Sequence, residues 1–125
     1  LAQEIDRQAA RAERRQPVLL EVNIAGEDSK TGVAPAQVGA LAAEVVQLPH
    51  LELQGLMCMP PYSHDPEDSR PHFVALAALA ESLAADLPPG AMRHLSMGMS
   101  GDYEVAVEEG ATLVRLGTVL FGPRL

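Results

Sequence analysis

HLSMGMSGD at residues 94–102 and TLVRLGTVLFGPR at residues 112–124 are the two stretches that decide the fold. Each begins with a run of strand-forming residues and then passes into glycine and hydroxyl-bearing residues. In parallel α/β proteins, ligands bind beyond the carboxyl ends of the strands, where unpaired backbone N–H groups favour an anion. The two stretches therefore predict neighbouring parallel strands whose ends together form a phosphate-binding edge.

Length and composition restrict the class of protein. The 125 residues and 47% hydrophobic content indicate one globular domain. The net charge of −8 argues against a nucleic-acid surface, which needs clustered Lys and Arg. Cys58 is the single cysteine, which excludes an internal disulfide framework and indicates a cytoplasmic protein. No apolar run approaches the roughly 20 residues that a membrane span needs, so we expect no membrane partner.

Helix-like and strand-like segments alternate along the chain. Apolar residues with a period of two predict strands, and those spaced by three or four predict helices. The predicted order is helix 2–15 ending before Pro17, strand 18–24, loop 25–33, helix 35–48, strand 51–59, loop 63–69, helix 71–86, strand 93–97, helix 102–109 and strand 112–117. This alternation predicts parallel βαβ units in an α/β fold with the helices packed outside the sheet.

Two loops on the predicted ligand-binding edge contain candidate anion-binding residues. Ser100 follows a strand and precedes a helix, so its hydroxyl could donate to a phosphate oxygen. The alternative is an ordinary N-cap serine of the following helix. Gly117 and Thr118 end the last strand in a similar way, either close to a ligand or in a plain turn. The two strand ends together favour the phosphate interpretation more than either does alone.

Arg115 lies within the last predicted strand, on the same face as Leu113 and Gly117. A guanidinium within a parallel sheet needs a partner because an isolated buried charge is very costly. One possible partner is a neighbouring carboxylate such as Glu21. The other is a bound ligand toward which Arg115 donates.

Lys30 is the only lysine in the chain and lies in a glycine-bearing loop on the predicted ligand-binding edge. A lysine amine is required for imine chemistry with an aldehyde cofactor, so Lys30 could reach such a ligand. Alternatively it is solvated, or it neutralises Glu27 and Asp28.

Other reactive side chains carry weaker signals. Residues 63–72 contain two histidines and several acids without a known metal-ligand spacing, which favours a solvated loop and no metal site. Cys58 lies in an apolar strand and is predicted to be a core thiol. We assign no catalytic residue from these patterns.

Five blocks of sequence resemble one protein family over essentially the whole chain. They are LEVNI with EDSKTG (residues 20–32), GLM (55–57), LSMGMSGD (95–102), VRLGT (114–118) and FG with Arg124. These blocks resemble the YggS/PROSC family of pyridoxal phosphate homeostasis proteins, whose fold is similar to the TIM barrel of alanine racemase. The resemblance implies that the cofactor is pyridoxal 5'-phosphate (PLP).

The resemblance also implies a role for each candidate residue. Ser100, Gly117 and Thr118 would hold the phosphate, Met99 belongs to the same cofactor-binding set, and Arg115 would face the pyridine nitrogen. An arginine there disfavours ring protonation and weakens the cofactor as an electron sink. This agrees with a family that binds and delivers PLP, with no established catalytic reaction.

Only part of the family pattern is present. Residues 1–125 correspond to strands five to eight of the barrel, its carboxy-terminal half, and the chain begins with Leu1. The early Ser-Lys motif with the Schiff-base lysine has no counterpart, and Lys30 matches a different family lysine. We therefore expect a truncated domain that binds PLP non-covalently at most and is poorly stable alone.

The resemblance suggests PLP-dependent apoenzymes as further partners and a monomeric full-length protein. Two other functions stay open from the sequence. One is half of a racemase-like PLP enzyme, and the other is a cofactor-free α/β interaction module.

Overall fold

The computed structural model describes residues 1–27 and 31–122. Four strands pair in chain order, and every pairing is parallel. They are β1 (Gln16–Glu21), β2 (Leu51–Met57), β3 (His94–Met99) and β4 (Leu113–Arg115). The predicted parallel βαβ architecture is confirmed, and the carboxyl ends of the strands lie along one edge of the sheet.

Helices connect the strands and cover the sheet. They are α1 (Ala2–Arg11), α2 (Pro35–Val45), α3 (Arg70–Ala84), α4 (Tyr103–Glu108) and α5 (Thr118–Phe121), with a short 3-10 helix, Pro66–Ser69, leading into α3. Side chains from β1, β2 and β3 and from α2, α3 and α4 form one buried core, whose largest members are Phe73, Leu56, Leu76 and Met97. Within the described residues, no helix is both long and apolar enough to cross a membrane.

Gly55 fixes how β2 lies against β3. Its φ angle is +152°, and a Cβ at this position would come 1.8 Å from the carbonyl oxygen of His94. Only glycine allows the two strands to approach so closely at this position. The register between β1 and β2 also shifts next to Gly55. The register that follows pairs Leu56 with Leu95 and aligns the carboxyl ends of the two strands.

The first helix ends earlier than the sequence predicts. Arg11 is its last residue, although the helical composition continues to Arg15. Glu13 has a φ of 56°, and the amides of Glu13 and Arg14 donate to the carbonyls of Ala10 and Ala9. These two bonds form a Schellman motif, so a left-handed residue ends the helix before Pro17 can.

Two further regions depart from the sequence prediction, at the end of the last strand and in the acidic loop. The last strand stops at Arg115 instead of Gly117, and residues 118–121 form α5, which was not predicted. The predicted acidic loop at residues 63–69 contains the 3-10 helix, where the Asp65 carboxylate accepts a hydrogen bond from the Glu67 amide at 3.0 Å. Both differences arise from hydrogen bonds between side chains and backbone, which hydrophobic periodicity does not report.

Candidate functional site

A cavity of about 360 Å³ lies at the carboxyl ends of β3 and β4. All five residues predicted to bind a cofactor line it: Met99, Ser100, Arg115, Gly117 and Thr118. The remaining wall comes from the segment after β2 and from the turn after β3, and consists of Pro60, Pro61, Tyr62, Ser63, Gly101 and Asp102. Tertiary structure thus gathers residues from three loops into one concave site.

Ser100 connects the two loops that the sequence singled out. Its Oγ accepts hydrogen bonds from the backbone amides of Gly117, at 3.0 Å, and Val119, at 3.1 Å. Ser100 therefore caps the N-terminus of α5 with its side chain. It does not cap α4, the next helix in the sequence, because Asp102 occupies the N-cap position of α4. The hydroxyl proton of Ser100 is not used in any hydrogen bond found among the described residues.

Gly117 and Thr118 begin α5 at the cavity wall, and both are exposed. A Cβ added to Gly117 would meet none of the described atoms within 4 Å, so the space beside it is open. The amides of Gly117 and Val119 donate to Ser100, whereas the Thr118 amide makes no hydrogen bond within the described part of the chain. Among the described residues, the Thr118 amide is therefore an unused donor that lies between the paired amides of Gly117 and Val119.

Arg115 is half-buried and bonds to the backbone of a neighbouring strand end. Its Nη2 donates to the carbonyl oxygen of Cys58 at 2.8 Å. Its Nε is buried and has no hydrogen-bond partner among residues 1–27 and 31–122. The Glu21 carboxylate instead accepts a hydrogen bond from the Thr31 hydroxyl at 3.1 Å. The predicted alternative of an Arg115–Glu21 ion pair is therefore wrong.

Cys58 lies beneath this arginine and is fully buried. Burial raises the pKa of its thiol to about 12, because desolvation outweighs the attraction of Arg115 for the thiolate. A neutral, enclosed thiol is a poor nucleophile. The prediction that Cys58 is a core residue is confirmed.

Asp102 is a site residue that the sequence reasoning missed. Its Oδ1 accepts a hydrogen bond from the Met99 amide at 2.8 Å, and its Oδ2 accepts one from the Ser69 hydroxyl at 2.8 Å. Its own amide donates to the Met99 carbonyl at 3.1 Å, which closes the turn containing Ser100. The available signal was an aspartate three residues after a strand end, in a glycine-bearing turn.

Two further predictions concern Lys30 and a metal site. Lys30 lies outside the described residues. Across residues 1–27 and 31–122, no three His, Cys, Asp or Glu side chains come together as a metal site would require.

Parallel strands joined by helices, with a concave site at the carboxyl ends of the strands, define a parallel α/β protein of the βα-repeat class. The family model for the N-terminal domain of alanine racemase matches residues 1–124, and the chain belongs to that family. Its fold is thus α/β with parallel strands, as in alanine racemase.

Within this family, the chain is similar to proteins named pyridoxal phosphate homeostasis protein. The pyridoxal phosphate homeostasis protein of Aquifex aeolicus is 48% identical over 124 residues, covering 99% of this chain and 54% of the relative. The protein of the same name from Vibrio alginolyticus is 43% identical over 124 residues, covering 99% of this chain and 52% of the relative. The predicted resemblance to this group is confirmed. The chain spans about half the length of these curated relatives.

A solved relative shows the same fold. PipY of Synechococcus elongatus, in its structure with PLP bound, matches with a TM-score of 0.84 and 32% identity. The match covers 97% of this chain and 56% of PipY.

Proposed function

We propose that this chain binds PLP non-covalently as the carboxy-terminal half, strands five to eight, of a TIM barrel, and that the complete protein serves intracellular PLP homeostasis as a carrier. The observation that carries the proposal is the cavity in which Ser100, Gly117 and Thr118 lie together with the unpaired Arg115 donor. The PLP-bound structure of PipY supports the same ligand.

The phosphate end of the proposed site rests on unused donors. The Ser100 hydroxyl proton and the Thr118 amide have no acceptor among the described residues, and both belong to the cavity wall. Gly117 leaves open space for an anion to approach the backbone. Donors of this kind stabilise a phosphate because hydrogen bonds to a charged acceptor are stronger than those to a neutral one.

The ring end of the proposed site rests on Arg115. When bound, PLP supplies an aldehyde and an electron-accepting pyridine ring. The unpaired Nε–H of Arg115 would donate to the ring nitrogen, since a guanidinium has donors and no acceptor. This contact favours the unprotonated nitrogen and so weakens the ring as an electron sink. A site of this kind suits a carrier better than a catalyst.

Exposed surfaces support the half-barrel part of the proposal. β1 and β4 are the two edges of the sheet. Beside the β4 edge, Leu113 is 45% exposed and Phe121 is 84% exposed. Such apolar surface next to an open edge favours further pairing. A chain about half as long as its relatives would leave these surfaces uncovered, because the other strands of the barrel would pair there.

Calorimetric titration of the chain with PLP, pyridoxal and inorganic phosphate tests the site. We expect PLP to bind more tightly than pyridoxal, and dialysis to remove it. Arg115→Gln is expected to weaken PLP binding about tenfold, because it removes one hydrogen bond from a charged donor. Binding of inorganic phosphate should weaken less than binding of PLP, because Arg115 would contact the ring and would act on the phosphate only through longer-range attraction.

Arg93→Gln is the matched control. Arg93 precedes β3 at the opposite end of the sheet, where it pairs with Glu52 at 3.4 Å. Its substitution should leave PLP binding unaltered. Equal affinities for PLP and pyridoxal would contradict the phosphate site, and equal effects of the two arginine substitutions would contradict the ring contact.

Size-exclusion chromatography and thermal unfolding of the chain test the half-barrel. Open edges predict self-association or a broad, weakly cooperative transition. A monodisperse monomer with a sharp, cooperative melt would refute this part of the proposal.

A further inference from the structure

We propose that Asp102 is a positioning residue for the cavity: its carboxylate holds the Met99–Asp102 turn in the shape that presents Ser100 to α5. This inference rests on the proposed function, because it concerns how the phosphate end of that site is kept in place. Asp102 donates nothing to a ligand and acts through Ser100.

The Met99–Asp102 turn is closed by two hydrogen bonds between its ends. The Asp102 amide donates to the Met99 carbonyl at 3.1 Å, and the Met99 amide donates to the Asp102 Oδ1 at 2.8 Å. A carboxylate that accepts from a backbone amide makes a stronger bond than a neutral acceptor. The turn therefore depends on the side chain of Asp102 as well as on its backbone.

Ser69 fixes the second oxygen of the same carboxylate. It is 3% exposed, and its hydroxyl donates to the Asp102 Oδ2 at 2.8 Å. Ser69 occupies the N-cap position of α3 and Asp102 that of α4, yet neither side chain caps its own helix within the described chain. Two good capping residues instead bind each other, which indicates that the orientation of Asp102 is held from both sides.

The turn passes this orientation to the cavity. Ser100 is the second residue of the turn, and its Oγ accepts from the amides of Gly117 and Val119. A chain of hydrogen bonds thus runs from Ser69 through Asp102 and Ser100 to the start of α5. Loss of the Asp102 carboxylate would free the turn and move the hydroxyl that orders α5.

Substitutions that remove the charge of Asp102 can distinguish the positioning role from a purely electrostatic effect on the ligand. A carboxylate in the wall of an anion site repels the anion, so a purely electrostatic role predicts tighter phosphate binding whenever the charge is removed. A positioning role predicts opposite results for alanine and asparagine. Asparagine keeps an oxygen for the Met99 amide and an amide group for Ser69, whereas alanine keeps neither.

The fold is expected to survive these substitutions because α3 and α4 are joined independently. Arg70 at the start of α3 bonds to Glu108 at 2.6 Å and also to Glu109. Removal of the Asp102 carboxylate therefore leaves these helices connected, and its effect should stay within the turn and α5.

The experiment combines calorimetric titration with PLP and amide hydrogen exchange of Gly117 and Val119 in the 125-residue chain. Asp102→Ala is expected to weaken PLP binding about tenfold and to accelerate both exchange rates, and Ser69→Ala to do the same to a smaller extent. Asp102→Asn should restore slow exchange and bind PLP at least as tightly as the parent chain.

Asp6→Ala is the matched control. The Asp6 Oδ1 accepts from the His50 amide at 2.8 Å, away from the cavity, so this substitution removes a similar bond. It should change neither affinity nor exchange at Gly117 and Val119.

The outcomes distinguish the two proposals. A parent chain that does not bind PLP refutes the proposed function, while exchange at Gly117 and Val119 still tests the role of Asp102. A parent chain that binds, with Asp102→Ala unchanged in affinity and exchange, refutes the positioning role alone. Tighter binding by both Asp102→Ala and Asp102→Asn also refutes it, in favour of charge repulsion.

Discussion

Ser100→Ala should reduce both the stability of the chain and its affinity for PLP. The Ser100 Oγ accepts the hydrogen bonds that cap α5 and, in the proposed site, would also donate to the phosphate. The substitution removes the acceptor for two amides, at 3.0 Å from Gly117 and 3.1 Å from Val119. Both residues are exposed, so water can replace the lost acceptor and the two losses do not add fully. We expect the free energy of unfolding to fall by about 1 kcal/mol, the usual effect of removing an N-cap.

The effect on PLP affinity should be larger than the effect on stability. The Ser100 hydroxyl would donate to a charged phosphate, and a hydrogen bond to a charged group contributes about 1.5–3 kcal/mol. The expected loss of affinity is therefore at least about tenfold. Denaturant unfolding followed by circular dichroism gives the first quantity, and calorimetric titration gives the second.

Ser82→Ala provides the control for this prediction. Ser82 lies on the exposed face of α3, and its hydroxyl donates to the Leu79 carbonyl at 2.9 Å. Its loss should change the free energy of unfolding by less than about 0.5 kcal/mol. The reasoning would be refuted if Ser100→Ala matched this control in both stability and affinity.

Two further predictions concern packing and pH. Gly98→Ala should lower the free energy of unfolding by about 2–5 kcal/mol, since φ is +103° and the added Cβ would lie 2.6 Å from that of Ala106; Gly101→Ala, with open space around it, should change the denaturant midpoint little. Because the pKa of the Cys58 thiol is about 12 in the folded chain and 9.0 ordinarily, the thiol ionises first in the unfolded chain. The free energy of unfolding should therefore be unaffected by this thiol below pH 9.0 and fall between pH 9.0 and about 12, by up to about 1.4 kcal/mol per pH unit. Urea titrations from pH 8 to pH 10 should show this slope in the parent chain and a shallower one in Cys58→Ala.

The order and type of the main elements could be predicted from the sequence because their signals are local. The alternation in residues 18–24 buries Leu20 in β1 and Val22 just after it. The spacing of Phe73, Leu76 and Ala80 places one face of α3 in the core. Element ends were less predictable. The end of α1 depends on one left-handed residue, Glu13, which helix propensity does not reveal.

The sequence by itself determined the alternation of parallel βα units and the small set of polar residues at the ends of two strands. It could do so because hydrophobic period and strand-end composition are properties of neighbouring residues. Only the tertiary structure decided the partners of those residues. Ser100 bonds to an amide 17 positions away and Arg115 to a carbonyl 57 positions away, while Asp102 reaches Ser69 across 33. Such contacts form only when packing of the strands and helices brings distant loops to the same edge of the sheet.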